Sequence, residues 1–273
     1  MNDQETDKRP AAAHPELPRW SAAETTQTSG TLHASAVHCA QMYLLTRELI
    51  QNGEFHSIIA GAAPAMRLLS DAERDASLSS TLASRPEGDV WLFGYGSLIW
   101  NPILHHVERR TARIKGWHRS FCLSSLVGRG SSANPGLVLG LEAGGECTGV
   151  AFRIADDMLE AELSLLWRRE MLSNSYVPRW LDVSEGEGTR FGTAIAFTID
   201  QGGDHYAGAL ELDEIIRRLS TASGVLGSAA DYLFRTCEAL RSHGIPDPDL
   251  EQLAARVDAE RWASVASAFD AQR

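Results

Sequence analysis

Residues 91–100, WLFGYGSLIW, constrain the fold of this chain more than any other segment. The run that opens it, residues 90–93, is short, apolar and bounded by turn-forming residues, a pattern typical of a buried strand. Gly94 and Gly96 then break the apolar run and, having no Cβ, permit a sharp turn and a close approach of the backbone. Two interpretations follow: a structural glycine bulge with Tyr95 in the core, or a loop whose N–H groups bind an anionic or carbonyl group.

The composition bounds the class of protein. The 273 residues are 44% hydrophobic and 22% charged, which is ordinary for a globular chain with one sizeable core. A net charge of −11 argues against nucleic acid or an anionic membrane surface as a partner, since both attract clustered Lys and Arg. No apolar run approaches the length of a membrane-spanning helix.

Cysteine and histidine usage gives no metal-binding pattern. Four cysteines are scattered without a CxxC pair: Cys39, Cys122, Cys147 and Cys237. The N-terminus shows no signal peptide, which would have a basic segment followed by an apolar one. We therefore expect a cytoplasmic protein in which the cysteines are reduced thiols. The neighbouring side chains of His105 and His106 point apart and lack an obvious third ligand, so we interpret them as loop or surface residues. No metal or cofactor is predicted.

Composition divides the chain into four parts: a disordered leader (1–38), a helical appendage with a linker (39–88), a domain (89–260) and a C-terminal tail (261–273). Within the appendage, an apolar helical stripe ends at Asn52-Gly53. Ser70 and Glu73 have the spacing of a capping box and predict the start of another helix.

The domain contains several short strand candidates. They are residues 90–93, 111–115, 119–123, 137–141, 148–154 and 192–199. Their connections are too short for repeated βαβ crossovers, so we expect mostly antiparallel or mixed pairing. Two helical segments, about 157–172 and 211–242, complete a fold of the α+β class.

The first of these helices places an acid on its apolar face. Asp157 is expected to cap it, and Leu159, Leu163, Leu166 and Glu170 follow at steps of four, three and four. A carboxylate on a core-facing stripe is costly unless it is paired, and burial raises its pKa. Such a group is suited to proton transfer near neutral pH.

The alternative is that Glu170 lies at a fraying helix end and forms an ion pair. Its candidate partners are Arg168, Arg169 and Arg179. Arg168 and Arg169 do not share a helix face and are expected to be solvated or ion-paired. The segment by itself leaves both interpretations open.

Four motifs together resemble the ChaC family of glutathione-specific γ-glutamylcyclotransferases, and its bacterial branch in particular. They are WLFGYGSLIWNP, then NPGLVLGL with GGECTGVAFRI, then LLWRREM followed by Tyr176, and HYAG. The resemblance runs from about residue 44 to residue 257. GYGSLIW and WRRE, about seventy residues apart, carry most of it.

The resemblance implies the γ-glutamylcyclotransferase fold, a small mixed β-barrel with flanking helices. It implies that the γ-glutamyl group is held largely by backbone amides of Gly94, Tyr95, Gly96, Ser97, Leu98 and Ile99. The catalytic glutamate of the family corresponds to Glu170, and Tyr176 matches a tyrosine that follows this acid. Tyr206 is a weaker candidate for substrate binding.

The implied reaction cyclises the γ-glutamyl residue of glutathione to 5-oxoproline and releases Cys-Gly. The nucleophile is the substrate's own α-amine, and Glu170 acts as general base and then general acid. The chain departs from the family at residues 224–229, which read GVLGSA in place of a segment close to GPSGxN. Two alternatives remain: a non-enzymatic binding or regulatory module on the same fold, and a cyclotransferase for other γ-glutamyl amides. No oligomeric state follows from the sequence.

Overall fold

A closed five-stranded barrel forms the centre of the computed structural model, which describes residues 45–186 and 188–270. Its strands are β1 (Val90–Gly94), β2 (Glu108–Ser125), β3 (Gly136–Ile154), β4 (Tyr176–Glu185) and β5 (Thr189–Ile199). They are ordered β1-β3-β2-β4-β5, with β1 parallel to β5 and the other adjacent pairs antiparallel. The predicted small mixed barrel is confirmed.

The long strands differ from the prediction. Segments 111–115 and 119–123 are two halves of β2, and segments 137–141 and 148–154 are two halves of β3. Irregularities in the β2–β3 register, one of them at Gly116 with φ +80°, bend the hairpin without ending its strands.

Strand β4 was not predicted at all. Pro178 lies inside it, and proline disfavours a strand assignment because it cannot donate to the ladder. The strand still forms, because β5 pairs with it from Tyr176 to Glu185 and closes the barrel on that side.

Eight helices flank the barrel in the described residues. They are α1 (Arg47–Gln51), α2 (Glu54–Ala62), α3 (Asp71–Ala83), α4 (Ser97–Trp100), α5 (Leu159–Glu170), α6 (Leu212–Thr221), α7 (Ala229–Ser242) and α8 (Pro248–Asp270). The capping box that begins α3 is confirmed, since Ser70 accepts from the Glu73 N–H and the Glu73 carboxylate accepts from the Ser70 N–H. The tail predicted for 261–273 begins inside α8.

Two helix predictions were wrong. Asp157 does not cap α5: turns at residues 155–158 delay the helix, so Met158 occupies the cap position and contributes no side-chain bond. The segment 211–242 is two helices, because the two-residue strands β6 (Ser223–Gly224) and β7 (Gly227–Ser228) form a hairpin between α6 and α7.

Helices α1 to α3 attach to α5, the helix that carries the predicted acid. Arg47 donates to both carboxylate oxygens of Glu162, at 2.6 and 2.7 Å, and Glu162 is almost fully buried. Burial favours a raised pKa, but hydrogen bonds from Arg47 and the His105 N–H hold the pKa of Glu162 below its usual value. In addition, the Trp167 indole N–H donates to Ser77 of α3 at 3.1 Å. The N-terminal helices are therefore fixed to the barrel domain by buried polar contacts.

No helix among residues 45–186 and 188–270 combines the length and apolar character needed to cross a membrane. The predicted leader at 1–38 lies outside the described residues, and so do residues 39–44, which include Cys39 and the beginning of the predicted apolar stripe. The other three cysteines are buried free thiols.

Candidate active site

A cavity of about 220 Å³ opens where the end of α5 meets the start of β4, the loop after β1 and helix α7. Ser97, Glu170, Tyr176 and Tyr232 line it from this side. The opposite side is apolar and comes from the N-terminal helices and the segment that follows them: Leu45, Phe55, Ile59 and Met66. One cavity is thus enclosed by two walls of different chemistry.

The loop after β1 turns where the two glycines stand. A Cβ on Gly96 would lie 2.6 Å from the Tyr232 hydroxyl oxygen, and one on Gly94 would lie 3.2 Å from Leu98 Cβ and from the Phe152 ring. A side chain on Gly96 would therefore force Tyr232 or the loop to shift, and one on Gly94 would crowd Leu98 and Phe152. The close packing lets the chain leave a buried strand and begin α4 within two residues.

Glu170 ends α5 on the predicted apolar face. Leu159, Leu163 and Leu166 of that face are buried, and the Glu170 side chain is only 13% exposed. Its Oε1 lies 2.7 Å from Nε of Arg169, which is itself 5% exposed. Glu170 lies on the predicted core face and is also ion-paired, with Arg169 of the three candidate partners, whereas its burial does not fit a fraying helix end.

Burial raises the pKa of Glu170, and the adjacent Arg169 guanidinium opposes that rise without cancelling it. Burial lowers the pKa of Arg169, and Glu170 counteracts that shift. The two buried groups are coupled, so a change at one of them alters the pKa of the other.

Arg169 links the acid to the glycine loop. Its Nη2 donates to the Ser97 hydroxyl at 3.0 Å, and its Nη1 donates to the Asn101 carbonyl. Ser97 therefore serves as an acceptor for a buried cation. The loop and the acid, about seventy residues apart in sequence, are joined through a single guanidinium.

Three tyrosines surround this ion pair. Tyr95 donates to the Phe197 carbonyl at 2.8 Å, and Tyr176 donates to the Leu139 carbonyl at 3.5 Å. Burial, with the nearby Glu170 charge adding to it, raises the pKa of Tyr95 and Tyr176 well above the usual value. Burial also raises the pKa of Tyr232 to about 12. All three phenols are neutral hydrogen-bonding groups near physiological pH.

The structure distributes the predicted site residues over two layers. Glu170, Tyr176 and Ser97 face the cavity. Behind them are residues that shape the loop from within the core: Gly94, Tyr95, Gly96, Leu98 and Ile99. Tyr206 is not among the cavity residues; its hydroxyl donates to Glu142 Oε1 at 2.6 Å.

Sequence reasoning missed four contributors to the cavity. Arg169 was expected to be ion-paired, but its bridge to Ser97 depends on barrel closure. Tyr232 and Arg235 come from α7, where the Asp-Tyr-Leu triplet at residues 231–233 is the available sequence signal. The apolar helical stripe was predicted to end at Asn52-Gly53, so α2 and the apolar wall that its Phe55 and Ile59 form were missed as well.

No group of three or more His, Cys, Asp or Glu side chains among the described residues could hold a metal ion. His105 is exposed and lies 3.1 Å from Glu162 Oε1, while the half-buried His106 packs edge-on against Phe152. Their interpretation as loop residues agrees with these positions.

A family model described as ChaC-like protein matches residues 90–260, which is more than half of the chain. This chain belongs to the ChaC family. A glutathione-specific γ-glutamylcyclotransferase from Escherichia coli is 42% identical over 217 residues, covering 78% of this chain and 92% of the relative. Gamma-glutamylcyclotransferase 2-3 from Arabidopsis thaliana is 34% identical, covering 62% and 88%. The resemblance to the bacterial branch of the ChaC family is confirmed.

The fold agrees with that of a solved γ-glutamylcyclotransferase. The crystal structure of a γ-glutamylcyclotransferase specific to glutathione from yeast superposes with a TM-score of 0.59 at 22% identity, covering 64% of this chain and 98% of that one. Residues 90–273 make up only about two thirds of this chain. The 78% coverage by the E. coli relative must therefore extend into the residues before 90, where the N-terminal helices lie.

Proposed function

We propose that this chain is a glutathione-specific γ-glutamylcyclotransferase, which converts glutathione into 5-oxoproline and Cys-Gly. The observation that carries the proposal is the buried carboxyl of Glu170, which faces the cavity and is linked through Arg169 to the loop after β1. Membership of the ChaC family and the activity named for the E. coli relative support the same reaction.

The reaction requires a folded substrate and two proton transfers. The α-amine of the γ-glutamyl residue attacks its own γ-carbonyl carbon, a C–N bond closes the ring, and the C–N bond to cysteine breaks. Ionised Glu170 accepts a proton from the α-ammonium or the attacking amine, and the same carboxyl returns a proton to the departing nitrogen. A pKa raised by burial suits both steps, since it brings the carboxyl closer to working pH.

The loop contributes through its backbone. Amide N–H groups of residues 94–98 hold the γ-glutamyl carboxylate or the developing oxyanion, since the Ile99 N–H already donates to the Gly96 carbonyl at 2.9 Å. Ser97 keeps Arg169 in place by accepting its hydrogen bond. Tyr176, beside the acid, contacts the γ-glutamyl group. Because the nucleophile belongs to the substrate, the proposed chemistry needs no catalytic Ser or Cys, metal or nucleotide.

A reducing compartment fits this activity, and we place the protein in the cytoplasm. The three described cysteines are free thiols: Cys122, Cys147 and Cys237. Free thiols and a thiol substrate both persist under cytoplasmic conditions.

The test is an assay of 5-oxoproline release from glutathione, γ-Glu-Ala and γ-Glu-ε-Lys by the purified protein. We expect release from glutathione in preference to the other two. Glu170→Gln should keep the fold and substrate binding and lose on the order of 10² to 10⁴ in turnover, the usual contribution of one acid–base group. Glu160→Gln makes the same change on an exposed part of α5 and should turn over normally.

Three results would change the assignment. Turnover near wild type in the Glu170→Gln variant would remove Glu170 from the mechanism. Preferential release from another γ-glutamyl compound would change the substrate. No release from any compound, together with a stable protein partner in pull-downs, would favour a binding or regulatory module on this fold.

A further inference from the structure

Three arginines line the cavity, and they differ in how their charge is compensated. Arg169 is paired with Glu170 at 2.7 Å, and Arg129 is paired with Asp231 at 3.1 Å. Arg235 has no carboxylate within 4.0 Å and no side-chain hydrogen bond among the described residues. Its guanidinium instead lies over the Trp100 ring, 4.2 Å from the centroid. A cation at the wall of a cavity without an anionic partner marks a place for an anionic ligand group.

The surroundings of Arg235 hold the guanidinium in one orientation. The Trp100 indole N–H donates to Thr236 Oγ1 at 3.2 Å, and the ring also packs edge-on against Tyr232. Stacking on an aromatic face immobilises the planar group while leaving its N–H edges available for a bidentate contact. An arginine ordered in advance loses less conformational entropy when it binds a carboxylate.

Its place on α7 separates Arg235 from the reacting centre. Tyr232 is close to Glu170, whose charge contributes to raising the tyrosine's pKa. Arg235 follows Tyr232 by three residues on the same helix face, about 4.5 Å further along the axis. Arg235 therefore lies nearly one helical turn beyond Tyr232 along α7, lines the same cavity and makes no ion pair with Glu170.

We propose that Arg235 binds the C-terminal glycine carboxylate of glutathione, which rests on the proposed function of this site. Glutathione carries two carboxylates. The one on the γ-glutamyl residue must lie near Glu170 and the glycine loop, where the reacting atoms are. The guanidinium of Arg169 is already occupied by Glu170, Ser97 and Asn101. The remaining carboxylate, at the far end of the leaving Cys-Gly, requires a cation set back from the acid, and Arg235 meets that requirement.

This assignment gives the cavity a basis for selecting its substrate. A γ-glutamyl compound without a carboxylate at that distance leaves Arg235 without its partner and binds more weakly. The contact belongs to the leaving half, so it acts on binding of the intact tripeptide and on release of Cys-Gly. Arg235 is a binding and specificity residue with no part in proton transfer.

The test combines a change in the protein with a change in the substrate, so that two proteins are each assayed with two substrates. Wild type and Arg235→Gln are assayed with glutathione and with its glycine ethyl ester, in which the carboxylate is masked. We expect Arg235→Gln to raise the KM for glutathione about ten- to one-hundredfold, the usual effect of losing a charge-assisted bidentate contact, with kcat little changed. Wild type should show a similar rise with the ester, and the variant should show no further rise with it. Arg235→Lys should recover part of the affinity for glutathione.

The matched control is Arg241→Gln, which removes an exposed arginine of the same helix and should leave both KM values unchanged. Equal rises of KM for both substrates in Arg235→Gln, or no rise for glutathione, would overturn the proposal.

Binding measured by calorimetry in the Glu170→Gln background gives a readout independent of turnover. Glutathione should bind that protein at least tenfold more tightly than the Glu170→Gln/Arg235→Gln double variant; equal affinity would overturn the assignment of Arg235. A wild-type protein that releases no 5-oxoproline would refute the proposed function, while this binding comparison would still decide about Arg235.

Discussion

The two walls of the cavity differ in chemistry: one is polar and charged, and the other is apolar. The wall formed by the glycine loop, α5, the start of β4 and α7 contains a buried ion pair and two neutral phenols, with the phenol of Tyr95 behind them, and each phenol is held by a specific hydrogen bond. The wall formed by the N-terminal helices contributes apolar side chains, and its polar anchors, such as the pair between Arg47 and Glu162, lie away from the cavity. The first wall can move protons and bind charge, whereas the second can only exclude water and shape the space.

This difference teaches where function is sensitive to substitution. Buried charges are coupled, so replacing one group alters the pKa values and hydrogen bonds of the rest. Apolar contacts are individually small and tolerate changes that conserve volume. We therefore expect changes in the polar wall to affect turnover and its pH dependence, and changes in the apolar wall to affect KM and stability.

The largest effect in the polar wall is expected for Arg169→Gln, since this change leaves the carboxylate of Glu170 buried and unpaired. Removing one partner of a buried pair costs about 3–5 kcal/mol in the free energy of unfolding. Arg169 lowers the pKa of Glu170, so its loss should raise that pKa further. A base must be ionised to act, and the acid limb of the kcat/KM–pH profile should therefore move to higher pH.

Urea unfolding and a pH–rate profile check both effects. Arg168→Gln, the same change at the exposed neighbouring residue, should leave stability within about 0.5 kcal/mol of wild type. Arg169→Lys preserves the charge and should fold if the Gln variant does not. An acid limb that stays in place in Arg169→Gln would mean that the two groups are not coupled in catalysis.

A second test compares two residues of the glycine loop. Gly96→Val would bring a side chain into the Tyr232 hydroxyl and displace the loop amides, and loss of one such donor costs about 2.7–4 kcal/mol in the barrier. Turnover should fall on the order of 10²- to 10³-fold. Ser97→Ala removes one of the acceptors of Arg169 and should lower turnover less, by about tenfold.

Glutathione turnover at saturating substrate, with circular dichroism to verify folding, ranks the two variants. Gly94→Val should behave like Gly96→Val, because a Cβ there would approach Leu98 and Phe152. A larger loss in Ser97→Ala than in the glycine variants would show that the hydroxyl, and not the backbone, is the main contribution of the loop.

The smallest effects are expected in the apolar wall. Phe55→Leu should cost about 1 kcal/mol in the free energy of unfolding and raise the KM for glutathione about tenfold or less, with kcat unchanged, because Phe55 lines the cavity. Ile50→Val, in the same cluster but not facing this cavity, should show a similar loss of stability with no change in KM. A fall in kcat for Phe55→Leu would contradict the division between the walls.

Much of the polar wall could be predicted from sequence. A short apolar run ending in two glycines is a local signal, and it identified β1 and the turn after it. The leucine stripe of α5 is equally local, and it predicted that Glu170 lies on the core face without any information about its ion-pair partner. Strand β4 was not predicted because Pro178 weakens the local strand pattern. Pairing with β5 overrides the unfavourable local preference of proline, so the strand forms.

The sequence by itself determined the family, the glycine break and the burial of Glu170, since each depends on residue order along one element. Only the tertiary structure decided which arginine pairs with the acid, that Ser97 accepts from that arginine, and that Arg235 has no carboxylate within 4.0 Å among the described residues. These outcomes depend on distances between side chains of elements far apart in sequence, which closure of the barrel and packing of α7 determine. Hydrophobic periodicity predicts which face of a helix or strand is buried, but it does not predict which residues pack against that face.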